Sequence, residues 1–392
     1  MTEWIECTLD KLGEIVGGAT PSTKCEDYYG GSIPWITPKD LSSFKGRYIT
    51  SGERNITEKG LASCSAQMMP KDAVLFTSRA PIGYVAIASQ SVCTNQGFKS
   101  IVVNEKADPL FVYYLLKYNK DAIEAMGSGT TFKEVSGKTM RAVKVRIPLD
   151  VSYQKRIAAV LDSLDTKIEN NERINDNLQQ QLFSLYENMA TASPCLKEYT
   201  LSNLCDFQEG YVNPPQTHPE YFDGEVKWLR AVDINESFII ETSRTLTKAG
   251  FESAKKSALL FEPNTIAISK SGTIGRLGII ADYMCGNRAV INIAPHDTNM
   301  LAFIYCFLKS KQREFPDMAV GSVQKNLYVS LLEPLSVSIP DNESLTAFNA
   351  VGASILGMIH NNCVENTDLA NLRDTILPKL MSGEIDVSSV LL

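Results

Sequence analysis

One constant offset runs through this chain, and it constrains the fold more than any single motif. Thr8-Leu9-Asp10-Lys11-Leu12 returns 192 positions later as Thr200-Leu201-Ser202-Asn203-Leu204. Val74–Gly83 returns as Ile266–Gly275 at the same offset, and Tyr28-Tyr29 and Trp35 return as Tyr221-Phe222 and Trp228 at 193. Asn95, Gly129, Lys133 and Ile147-Pro148 have counterparts in Asn287, Gly321, Lys325 and Ile339-Pro340. An offset held from residue 8 to residue 148 means that one domain plan is used twice.

Each copy has two parts. The first is rich in short β-branched or apolar runs bounded by Gly, Pro or Ser, such as Val74–Phe76, Val85–Ala88, Ser100–Val103 and Val143–Ile147, which read as strands. Pro109–Lys120 and Met300–Arg313 read as helices between them. The second part is a long helix with almost no Gly or Pro inside. The first long helix is expected from about Ser152 to Ala192, capped by Asp150 or Ser152 and followed by Pro194. Leu161, Leu164, Ile168, Asn171, Asn175, Leu178, Leu182, Leu185 and Met189 alternate spacings of three and four, a heptad seam. The second is expected from about Asn342 to Met381, ended by Pro378 and Gly383. Its stripe is Ile355, Ile359, Asn362, Asn366, Leu369, Leu372, Ile376 and Leu380. Each seam has two asparagines near its middle; a buried Asn lowers stability but fixes register. Such helices could simply cover their own domains. At ~1.5 Å per residue each is ~60 Å long, however, which overshoots a domain of this size and favours packing on each other. The expected fold is therefore α+β. Two similar mixed α/β domains, 1–150 and 200–340, are separated by antiparallel coiled-coil helices in 151–199 and in 341–392, the latter ending in a tail.

Charge bears on partners. The 392 residues carry a net −7, which taken alone argues mildly against nucleic acid. The distribution differs: residues 1–150 hold 18 Lys and Arg against 16 Asp and Glu, whereas residues 341–392 hold 2 against 7. The acid lies in the C-terminal segment, so a basic binding face elsewhere is compatible with the total. No apolar run approaches the ~20 residues of a membrane helix, and the N-terminus lacks the basic-then-apolar order of a secretory signal. Nine scattered cysteines with no CxxC favour a reduced, cytoplasmic protein over a disulfide framework. Three histidines, 218, 296 and 360, lie far apart, which weakens a His-based metal site or general base.

Four stretches carry a resemblance: Ile33-Pro34-Trp35-Ile36-Thr37-Pro38-Lys39-Asp40-Leu41, Ser269-Lys270-Ser271-Gly272-Thr273-Ile274-Gly275, Gly321-Ser322-Val323-Gln324-Lys325-Asn326-Leu327 and Leu377-Pro378-Lys379-Leu380-Met381-Ser382-Gly383-Glu384-Ile385. In their order, duplication and separation by two long helices, the whole chain resembles the specificity (S) subunit of type I restriction-modification systems. The resemblance implies two target-recognition domains, each reading one half of a split site in double-stranded DNA. It also implies helices that act as a spacer, two docked methyltransferase subunits, and motor-nuclease restriction subunits joined through those. The subunit itself would be non-catalytic and bind no metal or cofactor; S-adenosylmethionine, ATP and Mg would belong to partners. Independently, two similar domains held by a helix pair form a pseudo-dimer, suited to half-sites about one DNA turn apart. Few side chains match outside the framework, so the half-sites should differ.

The densest basic stretch is Gly127–Pro148, with Lys133, Lys138, Arg141, Lys144 and Arg146 against one acid, Glu134. Gly127, Gly129 and Gly137 would let the backbone approach a phosphate. Lys133, Lys138 and Arg141 are the stronger candidates, because Lys144 and Arg146 alternate with Val143, Val145 and Ile147 on a strand. In the partner loop, Gln324 can pair with adenine and Lys325 can reach guanine or phosphate. Ser78-Arg79 and Lys270-Ser271 end apolar strands, and strand-end loops often carry function. Gln96 and Arg288 offer donors to base edges. Asn95 and Asn287 match across the repeat, so they are better read as turn holders, and Trp35 and Trp228 as core. Asn213-Pro214-Pro215-Gln216 is similar to an amino-methyltransferase tetrapeptide but lacks the aromatic fourth residue that stacks on a flipped base. Glu225-Val226-Lys227, with Asp223, is similar to a nuclease metal site, but its repeat counterpart lacks those groups. No P-loop is present. The competing reading is a coiled-coil scaffold that binds proteins only, favoured by the net charge; an autonomous enzyme with an undetected site is the third.

Overall fold

The computed structural model describes residues 2–42, 44–129, 133–192, 197–322 and 324–390. Pro194 lies outside them. The chain divides into two compact units, residues 1–169 with 369–392 and residues 170–368. The division differs from one into domains and free spacers, because each unit includes part of both long helices.

The strands of the first unit are β1 (Trp4–Thr8), β2 (Gly13–Gly17), β3 (Tyr29–Ile36), β4 (Tyr48–Ile49), β5 (Asn55–Ile56), β6 (Val74–Ser78), β7 (Ile82–Ala88), β8 (Cys93–Thr94), β9 (Lys99–Val103) and β10 (Lys144–Pro148). They form a five-stranded sheet in the order β2-β9-β6-β7-β4, a three-stranded sheet β5-β3-β8 and the pair β1-β10. The second unit has β11 (Lys197–Thr200), β12 (Cys205–Glu209), β13 (Phe222–Leu229), β14 (Phe238–Ile239), β15 (Thr245–Leu246), β16 (Ile266–Ser269), β17 (Leu277–Ile280), β18 (Cys285–Gly286), β19 (Val290–Pro295) and β20 (Ser336–Ile339). Their orders are β12-β19-β16-β17-β14, β15-β13-β18 and β11-β20, the same plan with every strand number raised by ten. Even an irregularity recurs. Tyr29 and Ile33 both face Ile56, and Phe222 and Val226 both face Leu246.

The five-stranded sheets are buried on both faces, so their strands are continuously apolar. In the first unit Val74, Phe76 and Ile101 pack with Phe111, Leu115, Ile157 and Leu161. Leu75, Ala86 and Ala88 point the other way, toward Ile36, Ile49 and Phe98, as the two-residue strand period requires. In the second unit Ile266, Ile268 and Ile293 meet Phe303, Phe307, Leu182, Ile355 and Ile359. Trp35 and Trp228 are both buried, their indole N–H groups donating to the Ala19 and Val212 carbonyls at 3.1 and 2.7 Å.

The first long helix is Val151–Ala192 and has no Gly or Pro. Its cap is Asp150, whose Oδ1 accepts from Ser152 N at 2.9 Å. The second is Asn342–Ser382, begun by Asp341, which accepts from Ser344 N at 2.8 Å. Pro378 falls inside this helix rather than ending it. Within each unit the two helices run antiparallel. In the second unit Asn171 Nδ2 donates to Asn366 Oδ1 at 2.9 Å and to Glu365 at 2.7 Å, and Asn362 Nδ2 donates to Asn175 Oδ1 at 2.8 Å. The four seam asparagines therefore pair with one another. In the first unit Arg373 donates to Asp165 at 2.6 Å, while Leu161 packs in the same core as Ile376 and Leu380.

The seam is not a free coiled coil along its length. Leu161 lies in the first core, and Leu182, Ile355 and Ile359 in the second, with Leu178 packed against it. Leu164, Ile168 and Leu369 are half-buried. Leu185, read as a seam residue, is 41% exposed and Leu372 is 49% exposed. Beyond Asn175 the buried face is set by Leu182 and Tyr186, four apart, and Leu185 lies off that stripe. Leu372 sits beside Arg373, which turns its own position inward. No helix among the described residues is long and apolar enough to cross a membrane.

Candidate nucleic-acid interface

In each unit the ends of the central strands and one tight hairpin meet at a single place. Backbone hydrogen bonds fix that meeting identically in both. Ser78 N donates to the Gly97 carbonyl and Lys270 N to the Ala289 carbonyl, both at 2.7 Å; Val135 N and Leu327 N donate back to residues 78 and 270, both at 2.9 Å. The hairpins close through the antiparallel bridges Ser128 with Glu134 and Val320 with Asn326. Gly129 and Gly321 open them at φ of 131° and 139°. At Gly321 a Cβ would also collide with the Gln324 carbonyl oxygen, so only glycine fits. Asn95 and Asn287 hold the adjoining turns: their Oδ1 atoms accept from Gly97 N and Ala289 N at 2.8 and 3.0 Å.

The side chains on this shared frame are not shared. In the first unit Lys99, the first residue of β9, extends its ammonium to 3.5 Å from Ser78 Oγ and 3.4 Å from Glu134. Arg79 reaches the same carboxylate at 3.5 Å. In the second unit Lys270 itself supplies the ammonium, 2.9 Å from Glu209 on β12 and 4.8 Å above the Tyr328 ring. Glu209 also accepts from the Tyr211 hydroxyl at 3.0 Å, and that hydrogen bond holds the phenol above its ordinary pKa.

Lys133 and Lys138 are exposed beside this cluster and have no ion-pair partner among the described residues. Arg141, on the short helix Gly137–Ala142, donates to the Ile15 carbonyl at 3.4 Å and is otherwise exposed. Gln324, Lys325 and Arg288 are exposed around the equivalent place, and Ser271 is half-exposed; Val323 is outside the described residues. Gln96 is exposed and accepts from the Thr20 hydroxyl. Ser78 is a correction. It is fully buried, and its hydroxyl donates to the Gly97 carbonyl at 3.1 Å, so it builds the frame and is not offered to a ligand. Lys144 and Arg146 serve the fold, pairing with Glu6 at 3.0 Å and with the Ser382 carbonyl at 3.2 Å. Sequence reading missed Lys99, Glu209 and Tyr328 as members of the cluster, because the partners that define it are distant: Glu134 lies 35 residues from Lys99, and Lys270 lies 61 from Glu209, while Tyr328 meets Lys270 from beyond the other hairpin.

The catalytic look-alikes are accounted for. Gln216 accepts from Arg244 at 2.9 Å on the surface. Lys227 sits between Asp282 at 3.0 Å and Glu241 at 3.2 Å. Burial works against its charge, but these two hydrogen bonds win and raise its pKa. Among the described residues no group of three or more His, Cys, Asp or Glu is placed to hold a metal.

A duplicated domain whose copies share a frame and differ at the exposed strand ends is the plan of a two-site recognition protein. The chain belongs to the family described as the type I restriction modification DNA specificity domain, which matches residues 1–180 and 196–367. The MjaIX specificity subunit of a type I restriction enzyme from Methanocaldococcus jannaschii is 32% identical over 412 residues, covering 99% of this chain and 95% of that protein. The EcoR124I/EcoR124II specificity subunit of Escherichia coli is 28% identical over 50% of each chain. Among solved structures, the S subunit of a type I restriction-modification system from M. genitalium shares the fold, with a TM-score of 0.57 at 18% identity, covering 97% of this chain and 96% of the other.

Proposed function

We propose that this chain is the DNA specificity subunit of a type I restriction-modification complex. Each recognition domain, 1–150 and 200–340, reads one half of a bipartite site, and the helix pair sets the gap and docks two methyltransferase subunits. Restriction subunits join through those, in the cytoplasm. Methylation, ATP hydrolysis and cleavage, with their S-adenosylmethionine, ATP and Mg, fall to the partners. The observation that carries this reading is the conserved frame with divergent strand-end side chains, which offers two different surfaces at equivalent places. Arg79, Lys133, Lys138, Arg141 and Gln96 serve one half-site; Lys270, Ser271, Arg288, Gln324 and Lys325 serve the other.

Methylation mapping in cells expressing the chain with its methyltransferase partner tests it. A single split motif is expected. Arg141→Ala or Lys133→Ala should weaken binding by ~1–3 kcal/mol where a base edge is read, and less where a phosphate is touched. Only one half-site should relax. Methylation with no split motif would overturn the reading.

A further inference from the structure

Two carboxylates at the strand ends are unexpected in a surface meant for DNA. Glu134 holds both Arg79 and Lys99, and Glu209 holds Lys270. We propose that Glu134 and Glu209 are specificity-determining residues that withhold these cations from DNA phosphates. The inference rests on the DNA-recognition reading above.

Three observations support it. First, the pairs are built from positions that do not correspond. Glu134 has Asn326 as its counterpart and Glu209 has Gly17; Lys99 has Ile291 and Lys270 has Ser78. Inheritance of a common frame therefore does not explain the pairing, which arises separately in each copy at the same strand end. Second, the two lysines are withdrawn from water, while Arg79 is 35% exposed. The Lys270 and Lys99 side chains are 13% and 16% exposed, against 21% and 39% for Glu209 and Glu134. Third, Lys133, Lys138, Lys325 and Arg288 stand exposed beside them and supply general attraction to the duplex.

The chemistry follows. A phosphate offers only acceptors, so it must displace a carboxylate to reach the ammonium, and like charge opposes that. A base edge with an acceptor beside a donor, such as adenine N7 and its amino group, can engage the ammonium and the carboxylate together. A neutralised pair thus discriminates between bases and backbone where a bare lysine would not.

The test uses the full chain with its methyltransferase partner, a random-sequence duplex and a duplex carrying the mapped split site, titrated across salt concentrations. Glu209→Gln should steepen the slope of log K against log salt on random DNA by about 0.9, one extra phosphate contact. The ratio of split-site to random affinity should fall. Glu134→Gln, which frees two cations, should steepen the slope by up to about twice as much. Adding Lys270→Met to Glu209→Gln should restore the original slope. Unchanged slopes in the single variants, or a steep slope persisting in the double variant, would overturn the proposal. Should one Glu→Gln chain not fold, the other carries the same test in the other unit. If the unsubstituted complex prefers no split site, the DNA-recognition reading itself has failed. If it does prefer one and the variants behave like it, only this inference has.

Discussion

The two units grip the same helix pair differently. Both pack helix residues into an apolar core, Ile157 and Leu161 in the first, but the first adds a buried polar network. Arg47, only 5% exposed, donates to Asp162, to Thr166 at 2.8 Å and to Glu169 at 3.1 Å. Asp165 accepts from the Tyr114 hydroxyl at 2.7 Å and from Arg373 at 2.6 Å. The second adds aromatic rings: Tyr186 stands edge-on to Phe303 and Phe348, with centroids 5.6 and 6.1 Å apart, over Leu182, Ile355 and Ile359. Duplication preserved the strand plan and left the chemistry of the clasp free to diverge. A buried ionic clasp is directional and tolerates no partial removal, whereas an apolar clasp weakens by degrees with the volume removed.

The largest effects should come from breaking each clasp. Asp165→Ala leaves the buried Tyr114 hydroxyl unpaired and the mostly buried Arg373 guanidinium with Asp374 alone, and should cost ~3 kcal/mol in urea unfolding. The combined change Asp165→Leu, Arg373→Met and Tyr114→Phe should recover most of that, because well-packed apolar groups can replace a buried ion network. Phe303→Ala should cost a similar ~3–5 kcal/mol, yet Phe303→Leu, which keeps much of the volume, should cost well under that. If Asp165→Ala proved as mild as Phe303→Leu, the contrast between the clasps would be lost.

Next in size is the asparagine pair. Asn175→Leu removes the acceptor of Asn362 Nδ2 and should cost ~1–3 kcal/mol. Asn175→Leu with Asn362→Leu should be near neutral or stabilising but lose its fixed register. Cross-linking of cysteine pairs placed along the seam would then report several registers in the double variant and one in the natural chain.

The smallest effect separates surface ion pairs from the clasp. Asp282 is well exposed, and its hydrogen bond with Lys227 holds its carboxyl below the ordinary aspartate value of 3.8. The stabilisation is present above 3.8 and is lost as the pH falls through the lowered value. Asp282→Asn should cost under ~1 kcal/mol at neutral pH after solvent screening. That difference should vanish in strong acid, as thermal unfolding across pH would show.

The fold was legible where it depended on spacing. The 192-residue offset carried the paired sheets, the three-four alternation carried the helices, and the matched Asn95 and Asn287 carried the turns. What escaped was set by contacts distant in sequence. Arg47 meets its partners 115 to 122 residues away, and Glu209 meets Lys270 61 away; a lone charge gives no hint of such a partner. Leu185 misled because a seam continued by spacing alone ignores the domain that takes over its face. Ser78 misled because a strand-end position was read as exposed when the hairpin covers it.

Mapping the methylated sequence of a chain with matched helix insertions tests the central claim most directly: two recognition domains reading separate half-sites, with the helices as ruler. Four residues inserted between Asn177 and Leu178, and four between Ile359 and His360, keep the Asn171–Asn366 and Asn175–Asn362 pairings and lengthen each helix by ~6 Å. Four residues approximate one helical turn, so both seams continue as stutters. The account predicts unchanged half-site bases and a gap longer by one or two base pairs, at ~3.4 Å each. An unchanged gap, or altered half-site bases, would contradict it.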